Sequence, residues 1–145
     1  MPVRVQEADF DAGAEAEAIA AGAGALVAFT GIVRGEGVLA MTLEHYPGMT
    51  EEALEAIEAE ARARWRLSGA LIIHRVGRLL PGERIMMVAT ASRHRAAAFE
   101  AAEFMMDHLK TRAPFWKKEE RADGARWVDA RETDERALAR WNSKG

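Results

Sequence analysis

Two lysines near the carboxyl-terminal end of the chain are the strongest candidates for chemistry. Lys110 lies in the last turn of a predicted helix, and Lys117 follows in a predicted strand. Residues 110–121 include five basic and two acidic side chains, a local charge of +3 on a chain of net charge −3. If helix end and strand converge, the two amines lower each other's pKa by charge repulsion, and burial near Phe115 or Trp116 adds to the shift. Such a lysine can act as a base or nucleophile near neutral pH, although spacing alone favours a solvated surface for either lysine taken singly.

A second cationic group, Ser92-Arg-His-Arg95, lies where a predicted strand leads into the longest predicted helix. The free amide groups and the dipole at the start of a helix favour anions, so His94 and Arg95 are candidate phosphate ligands. The alternative is that Arg93 and Arg95 only solvate the start of the helix. Arg34, which ends an apolar strand beside a glycine-bearing loop, could reach the same anion or face water.

Several common classes of site are excluded or disfavoured by residue type and motif. The chain has no cysteine, which excludes disulfides, thiolate metal sites and cysteine nucleophiles and suits a reducing cytosol. It has no P-loop lysine motif, no HExxH motif and no Gly-x-Ser-x-Gly motif, and the spacing of its histidines disfavours a metal site. Its apolar stretches are far shorter than the roughly 20 residues that cross a bilayer, and its first residues lack the pattern of a secretory signal. We therefore expect a cytoplasmic protein with no metal and no membrane segment.

Length and charge pattern predict one ordinary folded domain. The 145 residues, 49% hydrophobic and 30% charged, suit a single domain over residues 1–145 and argue against disorder. The net charge of −3 disfavours general binding to nucleic acid, so any anion site must be local.

The hydrophobic pattern predicts the order α, ββ, α, ββ, α, ββ, α, and hence an α+β fold with mainly antiparallel sheet. We expect each pair of consecutive strands to form a hairpin, because turn residues separate the two strands of each pair. The predicted helices cover residues 11–21, 50–65, 92–112 and 134–141, and the predicted strands cover 25–33, 38–46, 70–76, 84–91, 115–120 and 125–130.

Several segments together resemble one family, the large catalytic subunit of molybdopterin synthase, or MoaE family. They follow the family order from about residue 25 to 130, and this many matches at consistent intervals are specific. The matching stretches are Phe29-Thr-Gly-Ile-Val-Arg34, Thr42-Leu-Glu-His-Tyr-Pro-Gly-Met49, Ile73-His-Arg-Val-Gly77, Pro81-Gly-Glu83, Ser92-Arg-His-Arg95 with Ala98-Phe99, and Lys110-Thr-Arg-Ala-Pro-Phe-Trp-Lys-Lys-Glu119 followed by Arg126-Trp-Val128.

The resemblance implies an α/β hammerhead-like fold with an additional antiparallel β subdomain, forming a homodimer within a heterotetramer. Each protomer is then expected to bind a small ubiquitin-like sulfur-carrier subunit whose Gly-Gly tail ends in a thiocarboxylate. The implied reaction transfers two sulfurs to cyclic pyranopterin monophosphate, giving the dithiolene of molybdopterin. No metal or organic cofactor is implied, because the sulfur arrives on the partner.

The resemblance also implies roles for individual residues. Lys110 and Lys117 match the catalytic lysines of the family. The loop after Arg34 departs from the family, since only Gly35, Glu36 and Gly37 stand where relatives often have a longer polar loop. The implied substrate contacts are Arg34, His94, Arg95, Lys118, Glu119 and Arg131, the last supplied across the dimer.

Two other functions stay open on sequence alone. A non-catalytic module that binds a phosphorylated metabolite would use the cationic residues but leave the two lysines without a task. A binder of single-stranded nucleic acid would need tryptophans interleaved with positive charge on one surface. The acidic pI and the expected packing of Trp116 and Trp127 disfavour the second alternative.

Overall fold

In this computed structural model, whose described residues are 2–128, 136–139 and 141, single helices separate groups of one to three strands. The positions of the long elements follow the apolar runs of the sequence. The elements are β1 (Val3–Gln6), α1 (Ala12–Ala18), β2 (Ala25–Ile32), β3 (Ala40–His45), α2 (Met49–Arg64), β4 (Leu67–Arg75), β5 (Gly77–Leu79), β6 (Arg84–Ser92), α3 (Arg95–Arg112), β7 (Phe115–Arg121) and β8 (Gly124–Val128).

The strands of the described residues form two sheets. In the first sheet the order is β1-β4-β6-β2, with β1 parallel to β4 and the other neighbours antiparallel. In the second sheet the order is β5-β3-β7-β8, and every pair is antiparallel. The α+β class and the additional antiparallel β subdomain are confirmed.

The central strands of the first sheet are buried on both faces. Ile72 of β4 and Val88 of β6 belong to one core with α2 and α3, in which Phe104 is fully buried. Ile73 and Met87 belong to a second core on the side of α1. Because both faces are covered, β4 and β6 are continuous apolar runs and show no alternation with polar residues.

The expected hairpin between the strands at 25–33 and 38–46 is wrong. β2 pairs with β6 in the first sheet, whereas β3 pairs with β5 and β7 in the second. The chain changes sheets between them because Val33 packs with Met41 and Leu43 in the small core of the second sheet. The loop that was predicted to close a hairpin therefore joins the two sheets.

The other two expected strand pairs are confirmed. β4 pairs with β6, and β7 pairs with β8, both antiparallel. The short strands β1 and β5 are absent from the prediction, because their apolar runs are too short to stand out from the neighbouring loops. The chain between β4 and β6 therefore contributes a strand to the second sheet before it returns to the first.

The helix boundaries differ from prediction by more than one residue at two places in the described residues. α3 begins at Arg95 because Ser92 stays in β6, where its hydroxyl donates to the Arg66 carbonyl oxygen at 2.7 Å. α1 is shorter than residues 11–21, and Asp11 caps it by accepting from the Ala14 amide. Residues 136–139 and 141 are helical; the rest of the expected terminal helix and residues 129 and 130 of the last expected strand lie outside the described residues.

A matched pair of glycine substitutions tests how closely the loop after α1 packs on β4. A Cβ on Gly69 would lie 2.6 Å from the Ile19 carbonyl oxygen, whereas a Cβ on the helical Gly13 meets nothing closer than 3.6 Å. We expect Gly69→Ala to lower the free energy of unfolding by about 2 kcal/mol through overpacking. Gly13→Ala should raise it by up to about 1 kcal/mol through helix propensity. Urea titration measures both, and an unchanged midpoint for Gly69→Ala would contradict the packing described.

Candidate active site

A cavity of about 370 Å³ lies between the two sheets at the carboxyl-terminal end of α3. We call it the lysine cavity. Of the residues singled out in the sequence, it brings together Arg34, Lys110, Lys117 and Glu119. The condition left open in the sequence is met here, because the helix end and the strand converge at one cavity. The other lining residues come from β2 and the loop after it, from β3, from β6 and from the end of β7. They are Phe29, Thr30, Gly31, Ile32, Glu36, Val38, Met41, Ile85, Met86 and Arg121.

The turn between α3 and β7 determines where the two lysines lie. Pro114 cannot continue the helix, so α3 ends at Arg112 and β7 begins at Phe115. The fully buried Thr50 holds this turn: its hydroxyl donates to the Pro114 carbonyl oxygen at 3.0 Å and accepts from the Tyr46 amide at 2.9 Å. The start of α2 thus fixes the eight-residue stretch that carries both lysines.

Alternation along β7 separates the two neighbouring lysines. Lys117, Glu119 and Arg121 line the lysine cavity, as expected for residues two apart on one face of a strand. Lys118 is not among the lining residues; its amine lies 5.4 Å from the ring centroid of Trp127, its partner in β8. The implied substrate contact of Lys118 is thus not brought into this cavity.

The exposed tryptophans of the second sheet depart from the expected packing. Trp116 and Trp127 are 48% and 52% exposed, respectively. Each lies on a face of the β7–β8 hairpin that the described residues leave open. The packing expectation is wrong because no layer of the described residues covers the side chains of Trp116 in β7 and Trp127 in the edge strand β8.

Arg34 extends from a strand end whose backbone is fixed on both sides. The Val33 amide donates to the Glu83 carbonyl oxygen at 3.0 Å, and the Gly82 amide donates to the Val33 carbonyl oxygen at 2.9 Å. Arg75, which is nearly buried, donates to the Glu83 carboxylate at 3.2 Å and so holds this turn. The Leu80–Glu83 turn predicted from the sequence thus supports the residue before Arg34.

His94 and Arg95 lie far from the lysine cavity within one chain. Both are exposed at the start of α3, where His94 is the N-cap residue. Lys110 is fifteen residues beyond Arg95 in the same helix, and at 1.5 Å per residue this separates their backbones by about 22 Å. One chain therefore cannot bring both groups to the same small anion. Arg131 lies outside the described residues.

His74 is a buried histidine beside the site that sequence reasoning left without a role. It is 4% exposed and stacks on Phe115 with ring centroids 3.7 Å apart. Its Nδ1 lies 2.8 Å from the Arg75 carbonyl oxygen, so Nδ1 carries the proton and donates. In the sequence, His74 could be noticed only as a single histidine within the apolar run of β4, a position that is typical of a core residue.

The electrostatic surroundings keep His74 neutral. Burial is the main cause that lowers its pKa from 6.5 to about 4, and the hydrogen bond to Arg75 opposes this shift. The positive charges of Lys110, Lys117 and His45 lower the pKa further. One imidazole is therefore within reach of the charge of both lysines, which agrees with their convergence at the cavity.

In the described residues, the side chains that could ligate a metal do not cluster. No group of three His, Asp or Glu side chains there is placed to hold a metal ion. None of the helices in the same ranges combines the length and apolar character needed to span a bilayer.

Comparison with known proteins gives consistent matches. The MoaE protein family model matches residues 5–112. The molybdopterin synthase catalytic subunit of Cereibacter sphaeroides is 64% identical over 146 residues, covering 97% of this chain and 100% of that protein. The solved molybdopterin biosynthesis MoaE protein of Burkholderia ambifaria is 58% identical, with a TM-score of 0.85 and 97% of each chain covered. A chain in the solved complex of subunits 1 and 2 of molybdopterin-converting factor from Helicobacter pylori shares the fold, with a TM-score of 0.76 at 20% identity and 90% and 92% coverage.

Titration of His74 predicts a pH-dependent stability. Between pH 6.5 and about 4 the unfolded chain binds a proton at His74 that the folded chain does not, so the free energy of unfolding falls as the pH falls through this range. The loss approaches about 3 kcal/mol at the lower end and is absent above pH 6.5. His74→Phe keeps a ring against Phe115 and should remove this part of the slope, as measured by urea unfolding at several pH values. His94→Gln, at an exposed histidine, should keep the slope; equal slopes in the wild type and His74→Phe would contradict the assignment.

Proposed function

Since the chain belongs to the MoaE family, whose curated relatives are molybdopterin synthase catalytic subunits, it is a sulfurtransferase of molybdenum cofactor biosynthesis, and we propose that its reaction takes place in the lysine cavity. The observation that carries the proposal is the meeting of Lys110 and Lys117 at one cavity from different elements. Neither lysine has a purely structural place in the core, since Lys110 is exposed and Lys117 partly so.

The charge of the cavity suits an anionic substrate. Four cationic side chains line it, Arg34, Lys110, Lys117 and Arg121, against the carboxylates of Glu36 and Glu119. This local excess of positive charge on a chain of net charge −3 attracts anions to the cavity. Cyclic pyranopterin monophosphate carries a phosphate that a guanidinium can bind through two hydrogen bonds, and a thiocarboxylate tail is also anionic. Arg34 is the residue we assign to the phosphate.

The two lysines divide the transfer between them. The thiocarboxylate sulfur forms a bond to a side-chain carbon of the pterin as a carbon–oxygen bond at that carbon breaks, and Lys117 assists this attack and gives a proton to the departing oxygen. Lys110 polarises the carbonyl of the acyl–sulfur intermediate, from which water releases the carrier as a carboxylate and leaves the sulfur on the pterin. A second thiocarboxylate repeats the step. His74, which burial keeps neutral by lowering its pKa to about 4, adds no further charge repulsion beside the two amines.

The sulfur carrier reaches the cavity along β2. This strand stands at the end of the first sheet in the described residues, and its residues Phe29–Ile32 form part of the cavity wall. An extended Gly-Gly tail laid beside a strand can hydrogen-bond to its open edge. The solved complex of subunits 1 and 2 from Helicobacter pylori supports a stable partner of this kind. The homodimer, the heterotetramer and the cytoplasmic location belong to the same proposal.

In the proposed homodimer, His94 and Arg95 contact the substrate bound by the other copy. Because they are about 22 Å from Lys110 in their own chain, they contact the substrate from the second copy or not at all. We assign them, with Arg131, to the phosphate and pterin bound in the partner's cavity. The non-catalytic binding module is the outcome that remains if the complex forms without turnover.

Replacing either lysine tests the proposed site. The wild type, supplied with thiocarboxylated carrier and cyclic pyranopterin monophosphate, should form the dithiolene, detected by oxidation to its fluorescent pterin derivative. Lys110→Ala and Lys117→Ala should each lower turnover at least about 100-fold, because proton transfer and charge stabilisation are lost. Both should keep the wild-type urea midpoint within experimental error.

A matched control is available two residues from Lys110. Arg112 lies in the same last turn of α3 and pairs with Glu60 at 3.4 Å outside the cavity lining. Arg112→Gln removes one positive charge and should keep near wild-type turnover. Full turnover in Lys110→Ala would refute the catalytic assignment, and a carrier complex of the wild type that makes no product would favour the binding module.

A further inference from the structure

Arg121 is a cavity residue that neither motif nor resemblance singled out. It ends β7 and lines the lysine cavity on the same strand face as Lys117 and Glu119. Its guanidinium donates to the Glu119 carboxylate from Nε at 3.3 Å and from Nη2 at 3.0 Å. Its remaining terminal nitrogen, Nη1, donates to the Glu36 carbonyl oxygen at 3.2 Å. One side chain thus links the strand of the lysines to the loop after Arg34.

The loop is built to receive this guanidinium. A Cβ on Gly37 would lie 2.9 Å from Arg121 Nη1, and the Gly37 backbone has φ of +75°. Any other residue there would be strained and would also crowd the guanidinium. The short Gly35-Glu36-Gly37 sequence therefore allows close contact between loop and arginine that a longer side chain at residue 37 would prevent.

The loop is consequently fixed at both ends around Arg34. On one side Val33 is held by its two backbone hydrogen bonds to the Gly82–Glu83 turn. On the other side the Glu36 carbonyl is held by Arg121. Arg34 lies between these two fixed points, so the position of its guanidinium at the cavity depends on both.

Arg121 also controls the charge of the cavity wall. Glu119 lies two residues from Lys117 on the same strand face, where a lone carboxylate would attract the lysine amine and repel an anion. The double hydrogen bond to Arg121 compensates that carboxylate and draws it toward the strand end. Without Arg121 the cavity loses one positive charge and also exposes one negative charge.

We propose that Arg121 is a positioning residue that sets the affinity of the lysine cavity for its anionic substrate, by tethering the short loop that carries Arg34 and by compensating Glu119. The inference rests on the proposed function for the identity of that anion. It assigns Arg121 no part in the bond-forming steps. Affinity and turnover are therefore expected to separate when it is replaced.

A second arginine on the same hairpin supplies a matched control. Arg126 pairs with Asp123 at 2.8 Å and lines an open groove that Arg121 also borders, but it does not line the lysine cavity. Arg121→Gln should raise the KM for cyclic pyranopterin monophosphate roughly tenfold, as expected for the loss of hydrogen bonds between charged groups. Its kcat should stay within about twofold of wild type. Arg126→Gln, which removes the same charge, should leave both constants near wild type, and Arg121→Lys should give an intermediate KM.

Hydrogen exchange separates the tether from the proposed reaction. The amides of residues 35–38 should exchange faster in Arg121→Gln and in Gly37→Ala than in the wild type or Arg126→Gln. Combining Arg121→Gln with Gly37→Ala should raise KM little beyond the larger single effect, because both break one contact.

The inference would be overturned if the amides of residues 35–38 exchange no faster in Arg121→Gln than in the wild type. It would also be overturned if the KM of Arg121→Gln is no higher than that of Arg126→Gln. If the wild type itself makes no product, the proposed function fails. In that case two measurements on Arg121→Gln and Arg126→Gln decide the role of Arg121. The first is hydrogen exchange of the amides of residues 35–38, and the second is binding of cyclic pyranopterin monophosphate, followed by fluorescence titration.

Discussion

Repulsion among like charges is the constraint on which the rest of the site depends. Four cationic side chains line a cavity of about 370 Å³, and bringing them together costs free energy that a flexible chain would avoid by turning them into solvent. The fold prevents this by attaching each cation to backbone that is already fixed. Lys110 and Lys117 flank a turn held by buried Thr50, and Arg34 follows a residue hydrogen-bonded on both sides. The carboxylate of Glu119 reduces the remaining repulsion through its double hydrogen bond with Arg121.

The division into two sheets provides those attachments. The first sheet is buried on both faces and supplies a rigid platform for α2 and α3, whereas the second sheet has little core of its own, formed by Val33, Met41, Leu43 and Leu79. The cavity lies where they meet, so its walls come from elements distant in sequence: β2, β3, the end of α3 and β7. A change of packing in either sheet must alter the distance between Arg34 and the lysines. That coupling explains why the joining loop is short and tethered.

Local patterns predicted the elements well but predicted their partners less well. The apolar stripe of α3 and the turn at Pro114 identify both the long helix and the strand after it, and with them the convergence of Lys110 and Lys117. The loop of residues 34–37 misled the prediction, because four residues with two glycines are typical of a hairpin and nothing local shows that Val33 packs into the other core. His74 and Arg121 escaped for the same reason. The contact of His74 with Phe115 and that of Arg121 with the Glu36 carbonyl join residues far apart in the sequence.

The length of α3 connects the site to the assembly. Its eighteen residues span about 27 Å, with His94 and Arg95 at one end and Lys110 at the other. A rigid helix cannot bend these groups toward one phosphate, so a single chain offers either the lysines or the amino-terminal cations to a given substrate. In a dimer with twofold symmetry, a contact from the start of one α3 to the other cavity is repeated in reverse, which completes two equivalent sites at once. If both cationic motifs bind one substrate, as proposed, their separation along one helix requires a second copy of the chain to complete each site.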